Sequence, residues 1–327
     1  MKSATEIFSE LGERLAAFGD DIKTREIIDA AHAANGWFMP EDIRYAVNAL
    51  REDMLQRDKL AEWLSKYDID ADKPQKMVAI IMAGNIPLVG FFDLLCTVAS
   101  GHRAIVKPSG KDSVLMNHII DTLRLIDPQI AIGEYDATGE IDAVIATGSD
   151  NAKRLFKSAF AGRPSLLRGS RHSAAVLSGR ETDADIAGLS ADIFRYSGLG
   201  CRNVSLLFVP RGYIPKIEAA NVNGKYINNY HQNRALLTMT GAAHRDMGKF
   251  ILEQGDEFPT AISTIRYVEY ETTAQVCEWL ANRDDELQCV VTECIEHPRR
   301  VPFGMAQRPR LTDYPDDIDV MAFLQSI

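Results

Sequence analysis

The residue with the most chemistry to offer is Cys201, in the stretch Ser197-Gly198-Leu199-Gly200-Cys201-Arg202-Asn203-Val204-Ser205. A thiol titrates near ~8.5 and reacts as the thiolate, so a nucleophilic cysteine needs surroundings that favour the anion. Two glycines just before it let the backbone bend sharply and leave room for a substrate at the sulfur. A turn beside a helix end, with open N–H groups, is one such surrounding. Buried structural cysteines are also common, so this stretch alone leaves both readings open. Asn85, in Gly84-Asn85-Ile86-Pro87, is either a turn residue or an amide donor. A donor aimed at a developing oxyanion removes ~3–4 kcal/mol of barrier. Lys107 and Ser109, in Lys107-Pro108-Ser109-Gly110, could meet a phosphate or ribose, although an ordinary surface lysine is the commoner case. Gly148 and Ser149 open a helix, where N–H groups either hold a phosphate or are simply capped.

These residues fall at the ends of apolar runs. Lys76 to Ala83, Ala104 to Val106, Ile141 to Ala146 and Ser173 to Leu177 are unalternated, of strand length, and each is followed by a helical pattern. That combination predicts an α/β protein with a doubly wound parallel sheet covered on both faces, which binds ligands beyond the carboxyl ends of its strands. Ahead of it, Ile7, Leu11, Leu15 and Phe18, then Ile43, Val47, Leu50 and Met54, recur at helical spacing. This gives an N-terminal helical region over 1–70, with a polar connector at Asp68 to Pro74. A cofactor-binding domain is expected over 71–196 and a smaller catalytic α/β domain over 197–303. Within the latter the pattern reads as strand 204–209, helix 213–220, a polar stretch 221–234, helix 242–254, strand 261–270, helix 273–281 and strand 288–292. A tail over 304–327 is expected to return to the first domain or a partner subunit.

The 327 residues carry a net charge of -10, which argues against a nucleic-acid footprint. No apolar run reaches the ~18 residues of a membrane span, and the opening residues read as an acidic amphipathic pattern instead of a signal peptide. Five cysteines without a Cys-x-x-Cys pair indicate reduced thiols in the cytoplasm. Cys96, Cys277 and Cys289 sit in apolar patterns and read as structural. Cys289 and Cys294 have Glu296 and His297 nearby but no second ligand cluster, so no metal is expected. Of the histidines only His172 and His231 fall near the candidate residues. The dinucleotide fingerprint Gly-x-Gly-x-x-Gly is absent from the strand ends.

In combination, Gly84-Asn85-Ile86-Pro87, Ile105-Val106-Lys107-Pro108-Ser109, Thr147-Gly148-Ser149, Gly198-x-x-Cys201-x-x-x-Ser205 and Pro302-Phe303-Gly304 resemble, in order and rough spacing, the motifs of the aldehyde dehydrogenase superfamily. The wording around them is most similar to its acyl-CoA reductase branch, typified by the fatty-acid reductase of bacterial bioluminescence. The resemblance spans roughly residues 76 to 327. It implies that Cys201 is the nucleophile and that Asn85, with the Cys201 N–H, forms the oxyanion hole. It also implies that Lys107 and Ser109 meet the adenosine ribose and its phosphate, and that Gly148 and Ser149 meet the pyrophosphate. Glu257, followed by Phe258 and Pro259, is the match for the residue that holds the nicotinamide ribose, although the family's intervening glycine is missing. Hydrolytic members carry a glutamate base before the strand that precedes the cysteine. Here Leu167-Arg168-Gly169-Ser170-Arg171-His172-Ser173 stands there, with Arg168 at the base position.

Without that carboxylate a thioacyl-enzyme is not readily attacked by water. The expected activity is therefore NADPH-dependent reduction of an acyl thioester, acyl-CoA or acyl-protein, to an aldehyde. NADPH is favoured because no acidic residue was identified to grip a ribose 2′-hydroxyl; NADH is the alternative. An NAD(P)-dependent aldehyde or semialdehyde dehydrogenase and a non-redox acyl-transfer protein are the rival functions. A homo-oligomer is implied by family habit only.

Overall fold

The computed structural model describes residues 2–69 and 73–327, so 70–72 of the expected connector lie outside the described residues. The chain divides into two compact units: residues 1–170 with 310–327, and residues 171–309.

The first unit begins with four helices, α1 (Ala4–Arg14), α2 (Ile22–Ala34), α3 (Pro40–Asp53) and α4 (Arg57–Leu64). Ser3 and Glu6 form a reciprocal capping box at the start of α1, and Pro40 occupies the first turn of α3. There follow β1 (Met77–Ile81), α5 (Phe91–Ala99), β2 (Arg103–Lys107), α6 (Ser113–Ile126), β3 (Ile132–Glu134), β4 (Ala143–Thr147), α7 (Asp150–Ala159) and β5 (Ser165–Arg168). The strands form one parallel sheet in the order β3-β2-β1-β4-β5, so all carboxyl ends share one edge. Val78 and Ile80 face a large core with Phe8, Trp63, Phe91 and Leu123. Ala79, Val144 and Ala146 face a thinner layer against Phe156 and Phe160. Burial on both faces explains why these strands read as continuous apolar runs.

The second unit holds β6 (His172–Val176), α8 (Asp183–Phe194), a 3₁₀ turn (Arg195–Gly198), β7 (Val204–Pro210), α9 (Gly224–Thr240), β8 (Arg245–Asp246), β9 (Ile251–Gln254), β10 (Thr264–Tyr270), α10 (Thr273–Asn282), β11 (Leu287–Thr292) and β12 (Arg300–Val301). Its sheet runs β12-β11-β6-β7-β10-β9-β8, parallel except for the short edge strand β8. Ala174, Leu206, Phe208, Leu280 and Val290 form its core. The segment 310–327 then returns to the first unit through α11 (Val320–Gln325), with Val320, Met321 and Leu324 fully buried.

The structure corrects three sequence expectations. The fourth apolar run, Ser173 to Leu177, belongs to the second sheet, so the units divide after Ser170 instead of near 196. Its buried, unalternated pattern carries no information about which sheet it joins. Residues 213–220 are irregular, and the helix lies at 224–240, within and beyond the stretch read as polar. This helix buries only Tyr226 and Tyr230, which leaves little apolar periodicity to find. Residues 242–254 form the β8–β9 ribbon instead of a helix.

Candidate active site

Cys201 lies at the amino end of β7, three residues before that strand begins, in a turn built from the end of α8. A capping box starts α8: Thr182 Oγ1 accepts from Asp185 N at 3.2 Å and Asp185 Oδ2 accepts from Thr182 N at 2.9 Å. The helix stops because Tyr196, Ser197 and Gly198 all take left-handed backbone, with φ of 55°, 53° and 71°. Only glycine does this without strain, and the other two cost on the order of 1 kcal/mol each. Ser197 is held there by its hydroxyl, which accepts from Asn223 N at 3.1 Å. Gly200 is not among the residues with positive φ, so its contribution to the turn is an N–H directed at Asn203.

The helix end next to the thiol is a C-terminus, not the N-terminus whose open N–H groups would favour a thiolate. Asn203, buried to 4% exposure, occupies that end. Its Nδ2 donates to the carbonyls of Asp192, Ile193 and Arg195 at 3.0, 3.1 and 2.8 Å, and its Oδ1 accepts from Gly200 N at 2.7 Å. Asn203 N donates in turn to Gly200 O. On the other side, Ser173 Oγ donates to Cys201 O at 2.9 Å and accepts from Cys289 N at 3.2 Å. The register of β6 slips against β7 beside Ser173, and that of β11 against β6 between Leu287 and Cys289. Paired irregularities of this kind re-aim a side chain, here the Ser173 hydroxyl.

The Pro302-Phe303-Gly304 motif lies directly after β12 and is latched to α8. Asp192 accepts from Gly304 N at 2.7 Å and Ala306 N at 2.9 Å, and Arg202 Nε donates to Ala306 O. Burial pushes the Asp192 carboxyl up to about 7, against the pull of those two N–H donors. Gly188 is required at this contact, since a Cβ there would lie 2.9 Å from Gly304 N and Phe303 C.

Asn85, Lys107, Ser109, Gly148 and Ser149 sit in the first unit, at the carboxyl edge of its sheet. Asn85 is exposed in the loop after β1. That loop is fixed by Leu88, held at φ 58° and donating from its N to Asp112 Oδ2 at 2.8 Å. Burial raises the Asp112 carboxyl well above the usual carboxylate range. Ser109 packs onto Gly84, where a Cβ would lie 2.5 Å from the serine Cβ and Oγ. Lys107 ends β2 with its Nζ 5.4 Å from the centre of the Tyr135 ring. It lines a cavity of about 340 Å³ with Asn117, Arg124, Glu134 and Tyr135. Glu134 supplies an acidic group at that cavity which the sequence reading had not placed. Ser149 caps α7, its Oγ accepting from Ala152 N at 3.3 Å, and Gly148 N donates to Arg168 O. A Cβ on Gly148 would meet Ala152 Cβ at 2.8 Å.

Arg168 ends β5 beside Thr147, and its Nη1 donates to both oxygens of Asp93 at 2.9 and 2.8 Å. Arg168 and Asp93 are 3% and 6% exposed, a fully desolvated pair. Among the described residues, Arg168 Nε and Nη2 find no partner. These donors lie in the interior at the β5 end of the sheet, away from the Lys107 cavity at its β2–β3 end.

Glu257 is exposed beyond the carboxyl end of β9, its carbonyl accepting from Arg266, while Phe258 turns inward to stack on His172 at 4.6 Å. His231 is exposed, with its ring against Tyr230. Cys96 and Cys289 are buried, as structural cysteines are, but Cys277 is exposed on α10 despite the apolar pattern around it. Among the described residues no group of three or more metal-ligating side chains assembles. Ser173, Asp192, Asn203 and Asp93 were missed by sequence reasoning, because only the three-dimensional turn shows what a lone polar residue in an apolar run is for.

Solved structures similar to this chain include aldehyde dehydrogenases. Aldehyde dehydrogenase 21 from Physcomitrella patens, in complex with the reaction product succinate, matches with a TM-score of 0.67 at 12% identity, over 99% of this chain and 83% of its own. The NAD+ complex of a Bacillus cereus aldehyde dehydrogenase gives 0.63 at 15% identity, over 89% and 72%. Aldehyde dehydrogenase C from Pseudomonas syringae, a mutant complexed with NAD+ and octanal, gives 0.63 at 14%, over 90% and 72%. The two units thus define an aldehyde dehydrogenase-like fold. No curated protein matches the sequence. The family model described as acyl-CoA reductase (LuxC) matches residues 23–232, and the chain belongs to that family. It is an oxidoreductase that reduces acyl-CoA to an aldehyde. No helix among the described residues is long and apolar enough to cross a membrane.

Proposed function

We propose that the chain is an NADPH-dependent, CoA-releasing reductase of fatty acyl thioesters in which Cys201 carries the acyl group. The Cys201 thiolate attacks the thioester carbonyl, the oxyanion is met by the Asn85 carboxamide and the Cys201 N–H, and the CoA thiolate leaves. When bound, the cofactor supplies the hydride that turns the thioacyl group into a thiohemiacetal. Collapse of the thiohemiacetal expels the Cys201 sulfur and frees the aldehyde. Lys107, Ser109, Gly148, Ser149 and Glu257 are proposed to hold the cofactor by their motif positions.

The observation that carries the reading is Arg168. Where a hydrolytic relative needs a carboxylate to activate water, this chain places a guanidinium already committed to Asp93. The thioacyl group is thereby kept for hydride. NADPH is preferred because the Lys107 ammonium at the cavity suits a 2′-phosphate. Five cysteines outside any disulfide support a reducing, cytoplasmic setting. The test is mass spectrometry after incubation with a long-chain acyl-CoA and no cofactor. An acyl adduct on Cys201, absent from Cys201→Ala and discharged as aldehyde by NADPH faster than by NADH, is expected. NADPH-dependent turnover surviving in Cys201→Ala overturns the mechanism.

A further inference from the structure

We infer that Asn203 is a positioning residue for the Cys201 thiol, fixing the turn that carries it and offsetting the negative end of α8 beside it. The inference rests on Cys201 being the reactive thiol. A helix C-terminus carries about half a negative charge on its unpaired carbonyls, which disfavours a neighbouring thiolate. Here three such carbonyls, of Asp192, Ile193 and Arg195, receive the Asn203 Nδ2 hydrogens. The opposite end of the same carboxamide holds Gly200 N, the residue directly before the nucleophile. One planar group therefore does two things at once. Its donors quiet the helix end, and its acceptor sets the backbone that presents the sulfur.

Asparagine is the side chain this task needs. Aspartate keeps the acceptor but removes both donors and adds charge, and glutamine is one methylene too long for a fully buried slot. The charged groups touching the network are Asp192, bound to Gly304 N and Ala306 N, and Arg202, bound to Ala306 O. Arg195 contributes the third carbonyl.

The experiment measures iodoacetamide alkylation of Cys201 in the full chain as a function of pH, localised by peptide mapping. Cys277, exposed on α10, is the internal reference. Asn203→Asp is expected to slow Cys201 alkylation at neutral pH on the order of tenfold and to move its profile to higher pH, with Cys277 unchanged. Asn203→Ser, which keeps one donor, is expected to fall between that variant and wild type. A merely structural role lowers thermal stability but leaves the profile of the folded protein where it was. A wild-type profile in either folded variant overturns the inference, and so does failure of both variants to fold, because the role assigned is to the thiol and not to the fold. The acyl adduct on wild-type Cys201 is scored separately. A shifted profile without an adduct overturns the catalytic reading alone, and an adduct with unshifted profiles overturns this inference alone.

Discussion

Replacing Arg168 by leucine should damage the first unit far more than the loss of one contact suggests. Asp93 is 6% exposed and both its oxygens rest on Arg168 Nη1, so the substitution leaves a carboxylate in the interior without its counter-charge. Breaking a buried pair from one side costs ~3–5 kcal/mol, whereas removing both partners is often close to neutral. For a unit of this size each kcal/mol moves the midpoint by about 2–4 °C, so the single variant should melt roughly 6–20 °C lower. Asp93→Leu combined with Arg168→Leu should recover most of that loss. The same geometry predicts that Arg168→Glu will not create a water-activating base. A second carboxylate against Asp93 would force one of the two to hold a proton. The assay is thermal unfolding of the three variants, with carboxylate release from aldehyde measured for Arg168→Glu. A double variant that melts no higher than Arg168→Leu, or efficient aldehyde hydrolysis by Arg168→Glu, refutes the reasoning.

Two further outcomes follow from close contacts. Asp192 titrates near 7 in the folded protein and near 3.8 unfolded, so the folded state binds the extra proton between those values. Its contribution to stability is complete below about pH 4 and lost as pH rises through about 7, up to ~4 kcal/mol in all. Urea unfolding at pH 5 and pH 8 should therefore show a smaller fall in Asp192→Asn than in wild type; equal falls would exclude Asp192 as the source. Gly84→Ala should slow turnover by displacing Ser109 and with it the Asn85 loop. Turnover unaffected by Gly84→Ala would show that the loop tolerates the shift.

Much of the architecture was legible because buried parallel strands and cysteine turns leave local marks. Val78 to Ile81, Ala104 to Val106 and Ala143 to Ala146 are apolar on both faces; the second and third end at Lys107 and Thr147, and the first runs on through Met82 and Ala83 to Gly84. What the sequence concealed was long-range choice. Ser173 to Val176 carries the same pattern as its predecessors yet pairs with β7 and β11. The helix Gly224–Thr240 has almost no buried stripe, and the 242–254 stretch, with Phe250, Ile251 and Leu252 buried, mimics helical spacing while forming a ribbon. At the site, Cys201 announced itself by its glycines. The residues that govern it, Asn203, Asp192 and Ser173, are separated by up to thirty positions and acquire meaning only when α8, β6 and the turn meet. Glu134 escaped notice for a similar reason, since β3 is three residues long and offers no periodicity.

The return of residues 310–327 to the first unit gives synthesis a direction. A ribosome releases the parallel sheet and its helices early, then the whole second unit, and only after that the helix that seats Val320, Met321 and Leu324 beside α5 and brings Leu324 O to His102 Nε2. The early-made sheet must therefore wait, with part of its apolar surface uncovered, while the thiol-bearing segment emerges and folds. A nascent chain stalled near residue 309 would hold a complete Cys201 turn attached to an unfinished first unit. In this architecture, completion of the first unit waits on a segment made after the whole of the second.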